Sequence, residues 1–170
     1  KIVYVYPFNT LVEQNLASLN KIFGNSKAMN NIAVVNSTTP LKKDEDENFS
    51  GEYQKALLDR QFLTYPIILT THVGLFDTFF GNNRESAFGL CQYANSVIVL
   101  DEIQNYRIEI WNEIIIFLKE FAKILNLKII IMSATLPDLE LLTDDRSNSV
   151  SLITNPQEYF LNPIFKDRVK

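Results

Sequence analysis

The chain has 170 residues, of which 46% are hydrophobic and 21% charged, the composition of one globular domain with a sizeable core. Its 16 basic and 20 acidic residues give a net charge of −4, which argues against a broadly basic nucleic-acid-binding surface. The single cysteine and single histidine exclude a disulfide framework and a Cys/His zinc site. No apolar stretch is long enough to span a membrane and no signal peptide is recognisable, so we expect a cytoplasmic protein.

Apolar runs rich in β-branched residues alternate with helical patterns along the chain. In order, the runs at residues 2–6, 32–35, 67–69, 97–100, 129–132 and 150–153 are typical of strands buried on both faces. Between them, apolar residues spaced by three and four positions predict helices at 10–23, 53–62, 74–80 and about 108–125. This alternation predicts an α/β fold, a three-layer parallel sheet with right-handed crossovers.

Local signals mark the ends of the first helix and the segments between elements. Thr10 and Glu13 have the spacing of a capping box, and Gly24 is placed to end the helix. The polar, acidic and aperiodic segment 37–51 is predicted to be a surface loop. From Asn155 onward, prolines and scattered aromatic residues indicate a segment that leads to another part of the protein.

Polar strings follow four of the predicted strands at their carboxyl ends, which is where an open parallel sheet binds its ligands. These strings are Pro7-Phe8-Asn9-Thr10, Thr70-Thr71-His72, Asp101-Glu102-Ile103-Gln104 and Ser133-Ala134-Thr135. Because the carboxyl ends of parallel strands meet on one side of a sheet, we expect all four strings to share one edge.

Asp101 and Glu102 end the apolar strand 97–100, a pattern that fits a Walker B element. The first carboxylate can hold Mg²⁺, usually through water, and the second can polarise the water that attacks a γ-phosphate. The two must be adjacent because the metal and the attacking water lie on different sides of the same phosphate. Taken alone, the pair is equally well interpreted as two exposed acids in a turn.

The distance from this pair to Ser133-Ala134-Thr135 favours the first interpretation. One helix and one strand separate the two strings, and here the sequence resembles the superfamily 2 helicases, in which both are neighbouring signatures. Longer strings look like the CRISPR-associated helicase–nuclease of type I interference complexes, namely residues 5–10, 65–71, 74–77, 96–104 and 131–137. The resemblance extends from Lys1 to about Pro137, and residues 162–165 are similar to the link toward that family's second helicase domain.

The resemblance implies an ATP-dependent helicase that translocates on single-stranded DNA, with ATP and Mg²⁺ as cofactors. By position, Asp101 would coordinate Mg²⁺, Glu102 would activate water and Gln104 would relay the nucleotide state. The residues that would couple hydrolysis to strand movement are Ser133, Ala134 and Thr135.

The resemblance also implies a nucleic-acid track and two protein partners. The residues that would line the single-stranded DNA track are Pro7, Phe8, Asn9, Thr10, Thr70 and Thr71. Hydroxyls, an amide and backbone N–H groups can hold phosphates without a basic patch, which is compatible with a net charge of −4. The implied partners are the CRISPR RNA-guided surveillance complex and an HD nuclease module, fused or separate.

The chain departs from this family in having no Walker A loop. Such a loop needs Gly-x-x-x-x-Gly-Lys-[Ser/Thr], and none of the five glycines is followed by Lys. The resemblance puts the missing motif before Lys1, on a strand that would insert between strands 129–132 and 150–153. We therefore expect a partial first RecA-like domain over 1–154 without its P-loop strand, the start of a linker over 155–170, and no ATP hydrolysis by these residues alone.

Two other functional classes stay open. A degenerate RecA-like module would bind nucleic acid or a partner without catalysis. A metal-dependent nuclease would use Asp101 and Glu102, but such folds usually carry Glu-x-Lys or Asp-x-Lys on the following strand, and the chain contains neither string. We expect packing roles, rather than contacts with DNA, for His72, Trp111 and Phe121.

Overall fold

The computed structural model describes residues 1–24, 26–35, 58, 62–105, 110–134, 150–153, 155, 158 and 161–164. The chain divides into two compact units, Lys1–Pro137 and Asp138–Lys170. The sheet lies in the first unit, together with every candidate site residue that the structure describes. The division of the chain into 1–154 and 155–170 stays a prediction.

Within the described part of the first unit, five parallel strands form one sheet. β1 (Ile2–Tyr6) lies at its centre, between β3 (Ile67–Thr71) and β4 (Val97–Leu100). β2 (Ile32–Val35) pairs with β3, and β5 (Lys128–Ile131) pairs with β4, so the strand order is β2-β3-β1-β4-β5. Valine and isoleucine dominate these strands because β-branched side chains pack well on a pleated surface. The predicted parallel α/β sheet is confirmed.

Four α-helices and two 3-10 turns connect the strands in the parts of the chain that are described. The helices are α1 (Asn9–Phe23), α2 (His72–Phe80), α3 (Arg84–Gln92) and α4 (Trp111–Leu125). The 3-10 turns cover Lys27–Asn31 and Ile103–Asn105. No helix among these residues has both the length and the apolar character needed to cross a membrane.

Helices cover both faces of the sheet, which gives the three predicted layers. α1 packs on one face through a cluster centred on Tyr6, Val12 and Leu69. The main core lies on the other face, where α2 and α4 pack against buried strand residues. Those strand residues are Val3, Val5, Ile68, Ile98 and Leu100.

α4 shows why an amphipathic pattern specifies a helix on this sheet. Trp111, Ile115 and Leu118 are buried at the spacing of one helical face, while Glu113 in the first turn and Lys123 in the last complement the helix dipole. Asn126 ends the helix in the left-handed conformation, which asparagine tolerates better than most residues. Trp111 and Phe121 pack against the fold as predicted, and so does His72 in α2.

The strand predicted at 150–153 is wrong. These four residues have no regular secondary structure, and the side chains of Val150 and Leu152 are 86% and 79% exposed. An apolar run becomes a strand only where a neighbouring strand accepts its backbone hydrogen bonds, and none does so among the described residues.

The predicted boundaries of five elements shift by one to three residues. β3 ends at Thr71 rather than at residue 69, and α4 begins at Trp111 rather than at about residue 108. α1 begins at Asn9 after Phe8, with no side-chain cap, so the capping box predicted for Thr10 and Glu13 is wrong. Gly24 does lie at the end of α1, but in a right-handed conformation, so the turn does not use a glycine-specific geometry. α2 begins two residues earlier than predicted, and β5 begins and ends one residue earlier than predicted.

One helix was not predicted at all, and other predictions cannot be compared with the structure. α3 was missed because its sequence has little helical periodicity and contains Gly89. The predicted helix 53–62 lies outside the described residues except at Leu58 and Phe62, where the Phe62 N–H donates to the Leu58 carbonyl at 2.8 Å. The loop predicted at 37–51 lies outside them entirely.

Candidate active site at the carboxyl edge of the sheet

The strand register brings the polar strings together at one edge, as the parallel arrangement predicts. Tyr6 at the end of β1 lies opposite Thr71 of β3, and Val5 lies opposite Leu100 of β4. Two further backbone bonds extend the ladder past the strands: the Asp101 N–H donates to Val5 at 3.0 Å, and the Met132 N–H donates to Leu100 at 2.8 Å. Asp101 and Ser133 therefore follow two neighbouring strands, β4 and β5.

Asp101 is half-buried, and both oxygens of its carboxylate accept hydrogen bonds. Oδ1 accepts the backbone N–H of Glu102 at 2.9 Å, and Oδ2 accepts the hydroxyl of Tyr4 at 3.2 Å. Two donors on one carboxylate restrict its rotation. The Walker B aspartate predicted from the sequence is thus held in a defined orientation at the strand end.

Glu102 has a left-handed backbone with a φ of 53°, which is uncommon for a residue that is not glycine. The following 3-10 turn holds this conformation, because the Glu102 carbonyl accepts both the backbone N–H and the side-chain amide of Asn105, each at 3.0 Å. Such conformations cost about 1–3 kcal/mol and concentrate at functional sites. The carboxylate of Glu102 is thereby directed away from the path that a continuing strand would take.

Gln104 connects the two polar strings through its side-chain amide. Its Nε2 donates to Oε2 of Glu102, and its Oε1 accepts the hydroxyl of Ser133. A backbone bond lies beside this connection, from the Ile103 N–H to the Met132 carbonyl at 3.3 Å. The Asp-Glu string after β4 and the Ser-Ala string after β5 are therefore in direct hydrogen-bond contact. Of the remaining predicted coupling residues, Ala134 is exposed and Thr135 lies outside the described residues.

The residues predicted to line a nucleic-acid track fall into two groups. Phe8 and Thr10 are exposed at this edge, and Pro7 and Asn9 beside them are half-buried. Thr70 and Thr71 are buried instead, and their hydroxyls have internal partners. The Thr70 hydroxyl donates to the Val35 carbonyl at 2.6 Å, and the Thr71 hydroxyl accepts the Gly74 N–H at 3.3 Å as the N-cap of α2. Their role toward nucleic acid stays a prediction.

Tyr4 and His72 contact Asp101, and Tyr6 stacks on Tyr4. The sequence analysis named only His72 among them, within the string Thr70-Thr71-His72. Burial and the nearby Asp101 carboxylate raise the pKa of the Tyr4 hydroxyl, so that it remains a donor at neutral pH. Burial likewise raises the pKa of Tyr6, and it lowers the pKa of His72 to about 4 against the opposing effect of Asp101. His72 also forms a hydrogen bond with the Asp101 backbone. For the two tyrosines, the only signal in the sequence was their position on β1. That position does not indicate a contact with Asp101 until the strand register is known.

The carboxylates of this edge fit a magnesium ion better than a protein-enclosed metal centre. No group of three or more potential metal ligands occurs among the described residues. Mg²⁺ usually keeps several waters and is bound by one or two carboxylates together with substrate phosphates. Asp101, with Glu102 adjacent, supplies that number and type of ligand.

Comparisons with known proteins agree with this architecture. The family model of DEAD/DEAH box helicases matches residues 1–142. No curated protein matches the sequence. The crystal structure of the DUF1998 helicase MrfA is similar to 84% of this chain, with a TM-score of 0.51 and 18% sequence identity, and the match covers 21% of that protein. This likeness concerns the fold, and the chain spans about a fifth of that helicase. Since the family model covers most of the sequence, the chain belongs to the DEAD/DEAH box helicases, with the parallel RecA-like sheet of superfamily 2.

Proposed function

We propose that this chain is part of the first RecA-like domain of an ATP-dependent nucleic-acid helicase. The observation that carries the proposal is the hydrogen-bonded connection from Glu102 through Gln104 to Ser133. It joins a carboxylate suited to water activation to the residues that follow the next strand. Membership of the helicase family supports the same function.

In this proposal the two carboxylates have separate roles. Asp101 would hold Mg²⁺, which when bound neutralises negative charge on the nucleotide phosphates. Glu102 would orient the attacking water and take up its proton, because its side chain lies next to Asp101 without sharing the Tyr4 contact. The two carboxylates have different partners, Tyr4 for Asp101 and Gln104 for Glu102, so that one would serve the metal and the other the water.

Gln104 and the residues after β5 would couple nucleotide hydrolysis to movement. Any change in the position or charge of the Glu102 carboxylate alters its hydrogen bond with Gln104. Gln104 passes the change to Ser133, and from there to Ala134 and Thr135. This is the relay role that the sequence predicted for Gln104.

The same edge would bind single-stranded DNA. The exposed ring of Phe8 offers a stacking surface for a base, and Thr10 offers a hydroxyl to a phosphate. Thr70 and Thr71 would support this track from within, because their hydroxyls tie β3 to β2 and to the first turn of α2. Such binding depends on stacking and neutral donors, in agreement with the net charge of −4.

We also propose that the whole protein acts in CRISPR interference. The support is the resemblance of the strings at residues 5–10, 65–71, 96–104 and 131–137 to the helicase–nuclease of that system. Its partners would be the RNA-guided surveillance complex and an HD nuclease module. The 170 residues contain no Walker A string, so ATP hydrolysis would require that loop from another part of the protein.

The test is the substitution Glu102→Gln in the intact protein that contains this chain. We expect ATP turnover to fall about 10²–10⁴-fold, because the general base is lost, while ATP binding stays close to wild type. Turnover is measured with single-stranded DNA and with single-stranded RNA as stimulants, and we expect DNA to be the better one. Glu113→Gln is the matched control, because Glu113 is an exposed glutamate in the first turn of α4.

Three outcomes would contradict parts of the proposal. Wild-type protein without ATP turnover would indicate a non-catalytic RecA-like module. Magnesium-dependent DNA cleavage by the isolated chain, lost on substitution of Asp101, would indicate a nuclease. Stimulation by RNA alone would remove the DNA assignment and with it the role in CRISPR interference.

A further inference from the structure

Tyr4 contacts the Asp101 carboxylate from the neighbouring strand. Tyr4 lies in the middle of β1 opposite Val99 of β4, two residues before Asp101, so Tyr4 and Asp101 project on the same face of the sheet. The Tyr4 hydroxyl donates to Oδ2 of Asp101 at 3.2 Å, while Oδ1 accepts the N–H of Glu102. One oxygen is thus held from the neighbouring strand β1, and the other by the backbone that follows β4.

The ring of Tyr4 is itself fixed by packing. It stacks on the ring of Tyr6 with 4.6 Å between ring centroids and an interplanar angle of 20°. Tyr6 is 3% exposed and belongs to the cluster under α1 that contains Val12 and Leu69. The Tyr4 hydroxyl also lies 3.8 Å from the sulfur of Met132, at the end of β5. A hydroxyl on a ring held in this way needs little further ordering to donate to Asp101.

We propose that Tyr4 is a positioning residue for Asp101, holding the carboxylate in the orientation that binds a divalent cation. The inference rests on the proposed function, in which Asp101 is the metal-binding carboxylate. Partners that orient a ligating side chain typically contribute 10–100-fold to metal affinity, even though they do not touch the metal. The same contact ties the metal-binding carboxylate to β1, the strand that leads into Pro7 and Phe8.

The test is the substitution Tyr4→Phe in the intact protein, with Tyr6→Phe as the matched control. Both changes remove one hydroxyl from the same stacked pair, but only the first removes the hydrogen bond to Asp101. Mn²⁺ binding is measured by electron paramagnetic resonance with a non-hydrolysable nucleotide. We expect Tyr4→Phe to weaken Mn²⁺ binding at least about tenfold and Tyr6→Phe to change it less than about twofold.

A magnesium titration of ATP turnover separates positioning from a general structural defect. For Tyr4→Phe we expect the Mg²⁺ concentration at half-maximal rate to rise, while kcat at saturating Mg²⁺ stays within about twofold of wild type. A loss of kcat that excess Mg²⁺ does not restore would overturn the inference. So would equal Mn²⁺ affinity in the two tyrosine variants.

A third variant, Asp101→Asn, distinguishes failure of this inference from failure of the proposed function. If Asp101→Asn abolishes Mn²⁺ binding and Tyr4→Phe leaves it unchanged, only the role of Tyr4 is wrong. If Asp101→Asn leaves Mn²⁺ binding unchanged, the metal role of Asp101 is wrong, and the inference about Tyr4 falls with it. Both tyrosine variants retain the ring, so thermal unfolding is expected to show folded protein in each case.

Discussion

Glu102 combines an unusual backbone with a central chemical role. Three other described residues have positive φ, namely Leu63, Asn95 and Asn126. The two asparagines lie at the opposite edge of the sheet, where the Asn126 side-chain amide donates to the Asn95 side chain at 2.7 Å. Asparagine enters the left-handed region easily, whereas glutamate does so at a cost. At Glu102 this conformational cost is offset by the two hydrogen bonds that Asn105 donates to the Glu102 carbonyl. Glu102 is therefore a strained residue, and the proposed reaction depends on the direction of its carboxylate.

His72 gives a residue-scale prediction about pH. Burial lowers its pKa to about 4 from an ordinary value of 6.5. Between these values the unfolded chain binds a proton that the folded chain does not, so the free energy of unfolding rises with pH and falls on acidification. We expect a slope of up to about 1.4 kcal/mol per pH unit in this window.

The measurement is urea-induced unfolding from about pH 5 to pH 6.5, a window that lies above most carboxylate titrations. His72→Gln is the comparison, because it keeps a side-chain N–H and removes the titration. We expect a shallower slope for the variant than for the wild type. Identical slopes would mean that His72 binds its proton equally well in the folded and unfolded chain.

At the scale of elements, α2 and α3 approach each other closely at two glycines. A Cβ on Gly89 would lie 3.0 Å from the Thr78 side chain of α2. A Cβ on Gly81 would lie 2.1 Å from the Ser86 hydroxyl oxygen of α3 and 2.4 Å from the Asp77 carbonyl. Both distances at Gly81 are shorter than real Cβ contacts allow. The turn between α2 and α3 therefore requires glycine at position 81, and Gly89 lets the two helices approach. Tight packing of this pair helps to fix α2, whose first residue His72 contacts Asp101.

The start of α3 gives the prediction at this scale. Asn83 is its N-cap, with Oδ1 accepting the Ser86 N–H at 2.7 Å. Asn83→Ala removes this acceptor, and we expect a loss of about 1 kcal/mol in the free energy of unfolding. Asn82→Ala is the control, since Asn82 is exposed and precedes the cap. Equal effects of the two substitutions in urea unfolding would show that the cap contributes nothing.

At the scale of the whole molecule, the core of the sheet is carried by its inner strands, among them β1 and β4. β1 and β4 carry core residues with no exposed surface, including Val3, Val5, Ile98 and Leu100. Both faces of these strands are covered, so every second residue on each side adds buried apolar area. The carboxyl edge that carries Asp101 is built on the same strands.

A pair of isoleucine substitutions tests this distribution of stability. Ile98→Ala creates a cavity at a fully buried site of β4, and we expect a loss of about 2–5 kcal/mol. Ile124→Ala in α4 changes a side chain that is 75% exposed, and we expect an effect of no more than about 0.5 kcal/mol. Urea unfolding of both variants provides the comparison. Similar losses would mean that Ile124 is covered in the folded protein.

Much of the fold and part of the site could be predicted because the relevant signals are local. The strands around Val3, Ile98 and Ile130 follow from runs of apolar β-branched residues, and α4 follows from its amphipathic spacing. The position of Asp101 and Glu102 follows from the rule that ligands bind at the carboxyl ends of parallel strands. α3 was not predicted because Gly89 obscures its helical pattern. The strand at 150–153 was wrongly predicted because its apolar run has the composition of a strand, although no described strand pairs with it.

The amino-acid sequence by itself determined the layer architecture and the relation to superfamily 2 helicases, and it predicted the edge at which the chemistry would lie. Only the tertiary structure decided which atoms meet there. Tyr4 and Asp101 are 97 residues apart in sequence, and their contact depends on the register of β1 against β4. The Thr70 hydroxyl is directed to Val35 by a similar pairing of β3 with β2. Registers of this kind arise from the packing of the whole sheet, because a shift by one residue would move every side chain to the other face.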